Sequence, residues 1–238
     1  MQYIPMALPF LAMLFFLFAL LVVVVELRVM KYAYERMGVG HRHMFALLFF
    51  SFLGSYVNIP IAQLPSEPVV SNQVVSYFGI AYVVPLVERW PGTVLAVNIG
   101  GAVIPTLLSI YLVFKNKLFA KGLLAVALVT VVVHWMAHPV PGVGIAEPIF
   151  VPPLVTVIVA FAISRDHAPA LAYVAGSLGT LIGADLLNLG AVQGLGAPVA
   201  SIGGAGKFDG IFLTGLIAVL LASILTRRQH EPRAVEAL

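Results

Sequence analysis

Cysteine is absent from the 238 residues. That excludes disulfides, thiolate catalysis and cysteine ligation of a metal. Charge is scarce as well. Only 10% of the residues are charged, against roughly 25% in soluble domains. The net charge of +3 is small and its excess lies in short loops, which excludes the clustered basic face of a nucleic-acid binder. No basic stretch precedes the first apolar run, and no small-residue cleavage site follows it. Leu11 to Leu27 is therefore expected to be a retained helix rather than a secretory signal.

What fills the chain instead is hydrocarbon, with 61% of residues hydrophobic. A membrane-spanning helix needs about 20 mostly apolar residues. Seven segments meet or approach that length: 8–27, 44–63, 93–114, 119–138, 148–163, 170–191 and 209–226. The expected fold is an all-α integral membrane protein, a single polytopic domain over 1–238 in the cell membrane. The fifth segment is short and carries Pro148, Pro152 and Pro153, which a membrane helix tolerates where neighbours satisfy the freed carbonyls.

The basic residues predict the orientation. Arg28, Lys31, Arg36, Arg42, Lys115, Lys117, Lys121, Arg165, Arg227, Arg228 and Arg233 all fall on one side of a seven-span protein, and only Arg89 and Lys207 on the other. The positive-inside rule then puts the N-terminus outside and the C-terminus in the cytoplasm. In the long outer loop 64–92, the β-rich run from Val74 to Val84 with Gly79 at its centre predicts a short hairpin.

Short echoes hint at two related halves. Asn98-Ile99-Gly100-Gly101-Ala102 resembles Ser201-Ile202-Gly203-Gly204-Ala205, and Leu53-Gly54-Ser55 resembles Leu178-Gly179-Thr180. Paired halves are common in transporters.

Three acids stand out from the ends and loops: Glu147, Asp185 and Asp209. A carboxylate at membrane depth costs about 2.5–3.5 kcal/mol on insertion scales, so each is a functional candidate. Asp185 lies well inside the sixth segment, among Gly179 and Gly183, which allow a helix or a ligand to approach closely. Asp209 opens the seventh segment after Gly203, Gly204, Gly206 and Lys207. It can cap that helix, and the glycine run can form an anion-binding nest. No Lys-Ser or Lys-Thr pair follows, so this is not a Walker phosphate loop. His134 and His138 are four residues apart, which on a helix is metal-ligand spacing, and Glu147 or an aspartate would complete a site. The Pro/Gly-rich segment 139–148 is apolar enough to fold back as a re-entrant turn. Asn58, Asn98 and Asn188 add amides to the same polar layer near the outer face.

Four stretches carry a family resemblance: Asn98 to Pro105, Pro141 to Ile145, Gly179 to Leu186, and Ser201 to Phe212. They resemble the domain-of-unknown-function family numbered sixteen-fourteen, multi-pass proteins of bacteria and archaea, over roughly 44–226. That family has no established activity to carry over. A more distant resemblance is to intramembrane aspartyl proteases, which place one Asp in a helix and a second in a Gly-x-Gly-Asp motif opening a later helix. Gly204-Ala205-Gly206 followed by Asp209 is similar, with Lys207 and Phe208 inserted. The resemblance implies a dyad of Asp185 and Asp209. Two close carboxylates do not both ionise readily, so one stays protonated and the pair activates a water.

Two functions follow as expectations. The first is an intramembrane hydrolase using Asp185 and Asp209. The alternative is a proton- or ion-coupled transporter with Asp185 as the coupling carboxylate and Asn58, Asn98, Glu147, Asn188 and the glycine run near the solute. A non-catalytic membrane component ranks third. No cofactor is expected. The bilayer is the expected partner, with a peptide or small-molecule substrate, and a homo-oligomer is compatible with the sequence.

Overall fold

In the computed structural model, the described residues are 13, 15–18, 27, 28, 31–65, 68–77, 80–89, 92–140, 144–192, 197–204 and 210–230. The first expected span, 8–27, lies mostly outside them. Prolines set several helix starts. The missing N–H of proline costs nothing in a first helical turn, and its fixed φ suits one. Pro105 opens α2 (Ile104–Lys115), with α1 (His41–Gly54) before it. Pro152 and Pro153 open α4 (Val151–Ile163), and Pro169 opens α5 (Ala168–Thr180). The prolines of the fifth segment therefore begin a helix rather than break one. Between α2 and α4 runs α3 (Phe119–Met136), and α7 (Gly210–His230) is the last helix.

Nearly every residue of α5 is buried. Its small side chains let neighbours close around it. Gly176 faces Gly215 of α7, while Gly179 and Gly183 face α3 at Val129 and Thr130. The glycines flanking Asp185 thus admit a neighbouring helix, one of the two approaches their spacing allows. One buried cluster joins α3, α4, α5 and α7, and includes Val129, Val157, Leu171 and Ala218. A second joins Tyr34 and Met37 to Leu112, Tyr173 and Val219.

The α5 run continues past Thr180 but changes geometry. Leu181–Asp185 is a π-helical turn, Leu186–Asn188 a 3₁₀ turn, and α6 (Leu189–Val192) closes it. Among the described residues, two helices, Phe119–Met136 and the continuous run Ala168–Val192, are long and apolar enough to cross a membrane; four other apolar helices are shorter. The outward side chains of α3 include Leu123, Val131 and Trp135, all strongly exposed.

The chain is mostly helical but not all-α. Strands β1 (Asn58–Gln63), β4 (Val94–Asn98) and β7 (Val199–Ile202) form a sheet in the order β1-β4-β7. Strand β1 is antiparallel to β4, and β4 is parallel to β7. The second expected span, 44–63, therefore ends as helix at Gly54, and the third, 93–114, begins as strand. Pro60 sits on the edge strand beside a bulge, where a missing N–H is harmless. Strands β2 (Pro68–Tyr77) and β3 (Ile80–Arg89) form the hairpin expected in 64–92, with longer arms than 74–84. A second, small hairpin pairs β5 (His138–Val140) with β6 (Gly144–Ala146), within the segment 139–148 expected to fold back as a re-entrant turn.

Candidate functional site

The strands that lead into the two echoing stretches lie side by side. Strand β4 leads into a π-helical turn, Ile99–Val103, and then α2. Strand β7 leads into Gly203 and Gly204, both in the left-handed region at φ 90° and 86°. The parallel ladder pairs Ala96 with Ser201 and Val97 with Ile202. It is displaced by two residues from the sequence echo, a shift that keeps every side chain on its own face. A Cβ on Gly203 would stand 2.6 Å from both the Cβ and the amide nitrogen of Ala102. One on Gly100 would collide with the Ser51 carbonyl oxygen. These glycines are contact points between backbones, where no side chain fits.

Asp185 closes this arrangement from the other break. It ends the π-helical turn Leu181–Asp185, and its Oδ2 accepts the Gly203 N–H at 2.7 Å. Ala102, Leu181, Ile202 and Ile211 pack together beneath, so the two π turns and the start of α7 share one small core. Asp209, the expected second carboxylate of a dyad, lies outside the described residues, as do Gly206 and Lys207. Gly204 donates its N–H to the Ser201 carbonyl at 3.2 Å, closing the turn after β7.

The three asparagines have different surroundings. Asn98 is 1% exposed. Its Oδ1 accepts the Gly101 N–H at 2.8 Å, capping the π turn, and its Nδ2 donates to the Ser55 carbonyl at 2.8 Å and Asn58 Oδ1 at 3.0 Å. Asn58 Oδ1 also accepts from Ser201 Oγ at 2.6 Å. Asn58, Asn98 and Ser201 thus tie the three strands together. Ser201 was not a sequence candidate, although its alignment with Asn98 in the echo was the available signal. Asn188 Nδ2 donates to the carbonyls of Gly183 and Ala184, both at 2.9 Å. A π turn shifts the helical hydrogen-bond ladder and leaves carbonyls to be satisfied otherwise, and Asn188 does this here.

The histidines do not share a helix face. Helix α3 ends at Met136, Ala137 is extended (φ −75°, ψ 127°), and His138 begins β5. Their i,i+4 relation is therefore not helical, which removes the geometric basis for a two-histidine metal site. His134 Nδ1 lies 3.3 Å from both the Gly183 carbonyl oxygen and Asn188 Nδ2, and its tautomer decides which contact is a hydrogen bond. Among the described residues, no group of three His, Asp or Glu side chains could hold a metal ion.

Glu147 follows β6 and precedes α4. It lines a cavity of about 590 Å³ with Trp135, Met136, His138, Val140 and Pro148. Its Oε2 is shielded and has no hydrogen-bond partner among the described residues. Burial pushes the Glu147 carboxyl up to about 7, and the charge of Asp185 adds to the rise. The structure thus gathers Asn58, Asn98, Ser201, Gly203 and Asp185 in one hydrogen-bonded layer. It links Asn188 and His134 to the same helix break, and joins Glu147 to it electrostatically.

No curated protein matches the chain, and no solved structure does. A family whose description is "Protein of unknown function (DUF1614)" matches residues 52–221. That span takes in every element from the end of α1 into α7, and the chain belongs to this family.

Proposed function

We propose that the protein is a multi-pass carrier of the cell membrane in which Asp185 holds the coupling proton or cation. One observation carries this reading. The buried central helix leaves α-helical geometry at its only carboxylate, and that carboxylate bonds to Gly203 beside the second glycine-rich break. Carriers build ion sites where discontinuous helices meet, because unwound backbone and a charged side chain then face one another. The parallel pairing of the strands that lead into the two Gly-Gly turns, with Gly203 against Ala102, fits a pair of related halves.

The reading includes seven spans, with the N-terminus outside and the C-terminus cytoplasmic. Its support is the division of eleven basic residues against two and the apolar outward faces of α3 and α4, such as Leu123, Val131, Leu154 and Ile158. The polar layer then lies near the outer face.

Reconstituted vesicles with an entrapped pH dye test the carrier. Gradients of sodium, potassium, lithium or tetraethylammonium should move protons through the wild type and not through Asp185→Asn. Equal flux in the variant would remove Asp185 from the mechanism. A second reading, the intramembrane aspartyl hydrolase, draws on the same bond, since Gly203 stands shortly before Asp209 in the chain. It requires peptide cleavage that both Asp185→Asn and Asp209→Asn abolish, whereas the carrier requires only Asp185.

A further inference from the structure

The Glu147 cavity has chemistry that the Asp185 layer does not use. We infer that it is a binding site for an organic ammonium ion with apolar substituents, formed by Glu147, Trp135, Met136, His138 and Pro148. The inference deepens the carrier reading by naming a class of solute.

Size comes first. About 590 Å³ falls within the roughly 300–1,000 Å³ of small-molecule sites. Trp135, Met136, Val140, Ala146 and Pro148 are apolar, and Glu147 is the only acid among the lining residues. A hard metal cation needs six or more oxygen ligands, and transition-metal sites need several convergent nitrogen or oxygen donors. This cavity offers one carboxylate and one imidazole. An organic cation needs much less: a single counter-charge, an aromatic ring and apolar surface for its substituents.

The acid itself calls for a positive partner. Its Oε2 is shielded without a hydrogen-bond partner among the described residues, and a shielded carboxylate oxygen left without a partner is costly. A cation beside it offsets that cost. His138 lines the same cavity, and the charge of Asp185 opposes ionisation of Glu147. If Asp185 carries the coupling ion as proposed above, that repulsion would link the ammonium site to it.

Equilibrium binding of radiolabelled tetraethylammonium to the purified full chain in lipid nanodiscs tests the site, at about pH 8 so that Glu147 is ionised. Saturable binding is expected, weakened about tenfold or more by Glu147→Gln and by several-fold in Trp135→Leu. Trp135 is 80% exposed, so its variant keeps the core intact and reports even where Glu147→Gln misfolds. Absence of saturable binding, or unchanged affinity in the folded variants, overturns the site. Displacement by calcium or zinc at far lower concentration than by other ammonium ions also overturns it, in favour of a metal site. Loss of binding with Asp185-dependent proton flux intact removes this site alone, whereas binding without that flux removes the carrier reading and leaves the site standing.

Discussion

At the scale of single residues, the polar layer divides into groups whose bonding is complete and groups with capacity left over. Asn98 belongs to the first kind. It makes three short hydrogen bonds while almost fully buried. Asn98→Ala strands a carbonyl and an N–H, and is expected to destabilise the fold by about 2–4 kcal/mol, read as a fall in thermal midpoint in detergent. An unchanged midpoint would show that the amide is not a structural brace. Glu147 is of the second kind. Its carboxyl sits at about 7 rather than near 4.5, first because it is buried and second because Asp185 is charged. The folded chain therefore holds this proton more tightly than the unfolded chain does. Stability from this group is full below about 4.5 and is lost as pH rises through about 7. Thermal midpoints should fall between mildly acidic and mildly basic buffer, and Glu147→Gln should flatten that fall. A slope identical in the variant would assign the pH dependence elsewhere.

At the scale of elements, glycine contacts decide where backbones can meet. A Cβ added at Gly100 would run into the Ser51 carbonyl oxygen and the Ser55 amide nitrogen. Both are main-chain atoms that cannot move aside cheaply, and overpacking of this kind costs about 1–3 kcal/mol or more. Gly190, by contrast, has room for a methyl group, with no described neighbour within 4 Å of where it would stand. Gly100→Ala should sharply lower the yield of folded protein, and Gly190→Ala should leave it unchanged. Equal behaviour of the two would mean that the π turn does not press against α1.

Several elements were legible in the sequence. The helices near 119–138, 148–163 and 209–226 were visible from apolar length, and the hairpin in 64–92 from its β-rich halves around Gly79. The central sheet was hidden. Val94-Leu95-Ala96-Val97 is a short apolar run that periodicity cannot separate from the helix beginning just after it. The histidine pair failed for a reason the sequence did contain. His138 precedes Pro139, and the residue before proline avoids helical backbone. The bond from Gly203 to Asp185 joins residues across an intervening strand, so no local pattern encodes it. Only the repeated Ile-Gly-Gly-Ala hinted that two such segments belong together.

At the scale of the whole molecule, the proposed seven spans and outward N-terminus predict a labelling pattern. The chain has no native cysteine, so introduced ones report without background. Gln63, exposed on β1, and Asp166, exposed between α4 and α5, should lie on opposite sides. Gln63→Cys should react with an impermeant maleimide in intact cells, and Asp166→Cys only after permeabilisation. Labelling of both in intact cells would break the proposed topology. The carrier itself rests on Asp185, because its helix break, its glycine partner and its electrostatic link to Glu147 converge there. The most direct measurement is proton movement in proteoliposomes under an imposed cation gradient, wild type against Asp185→Asn, with both proteins equally folded and inserted. A dye response in the wild type that falls to the level of protein-free vesicles in the variant is the expected result. A wild type indistinguishable from empty vesicles, or a variant as active as the wild type, would contradict it.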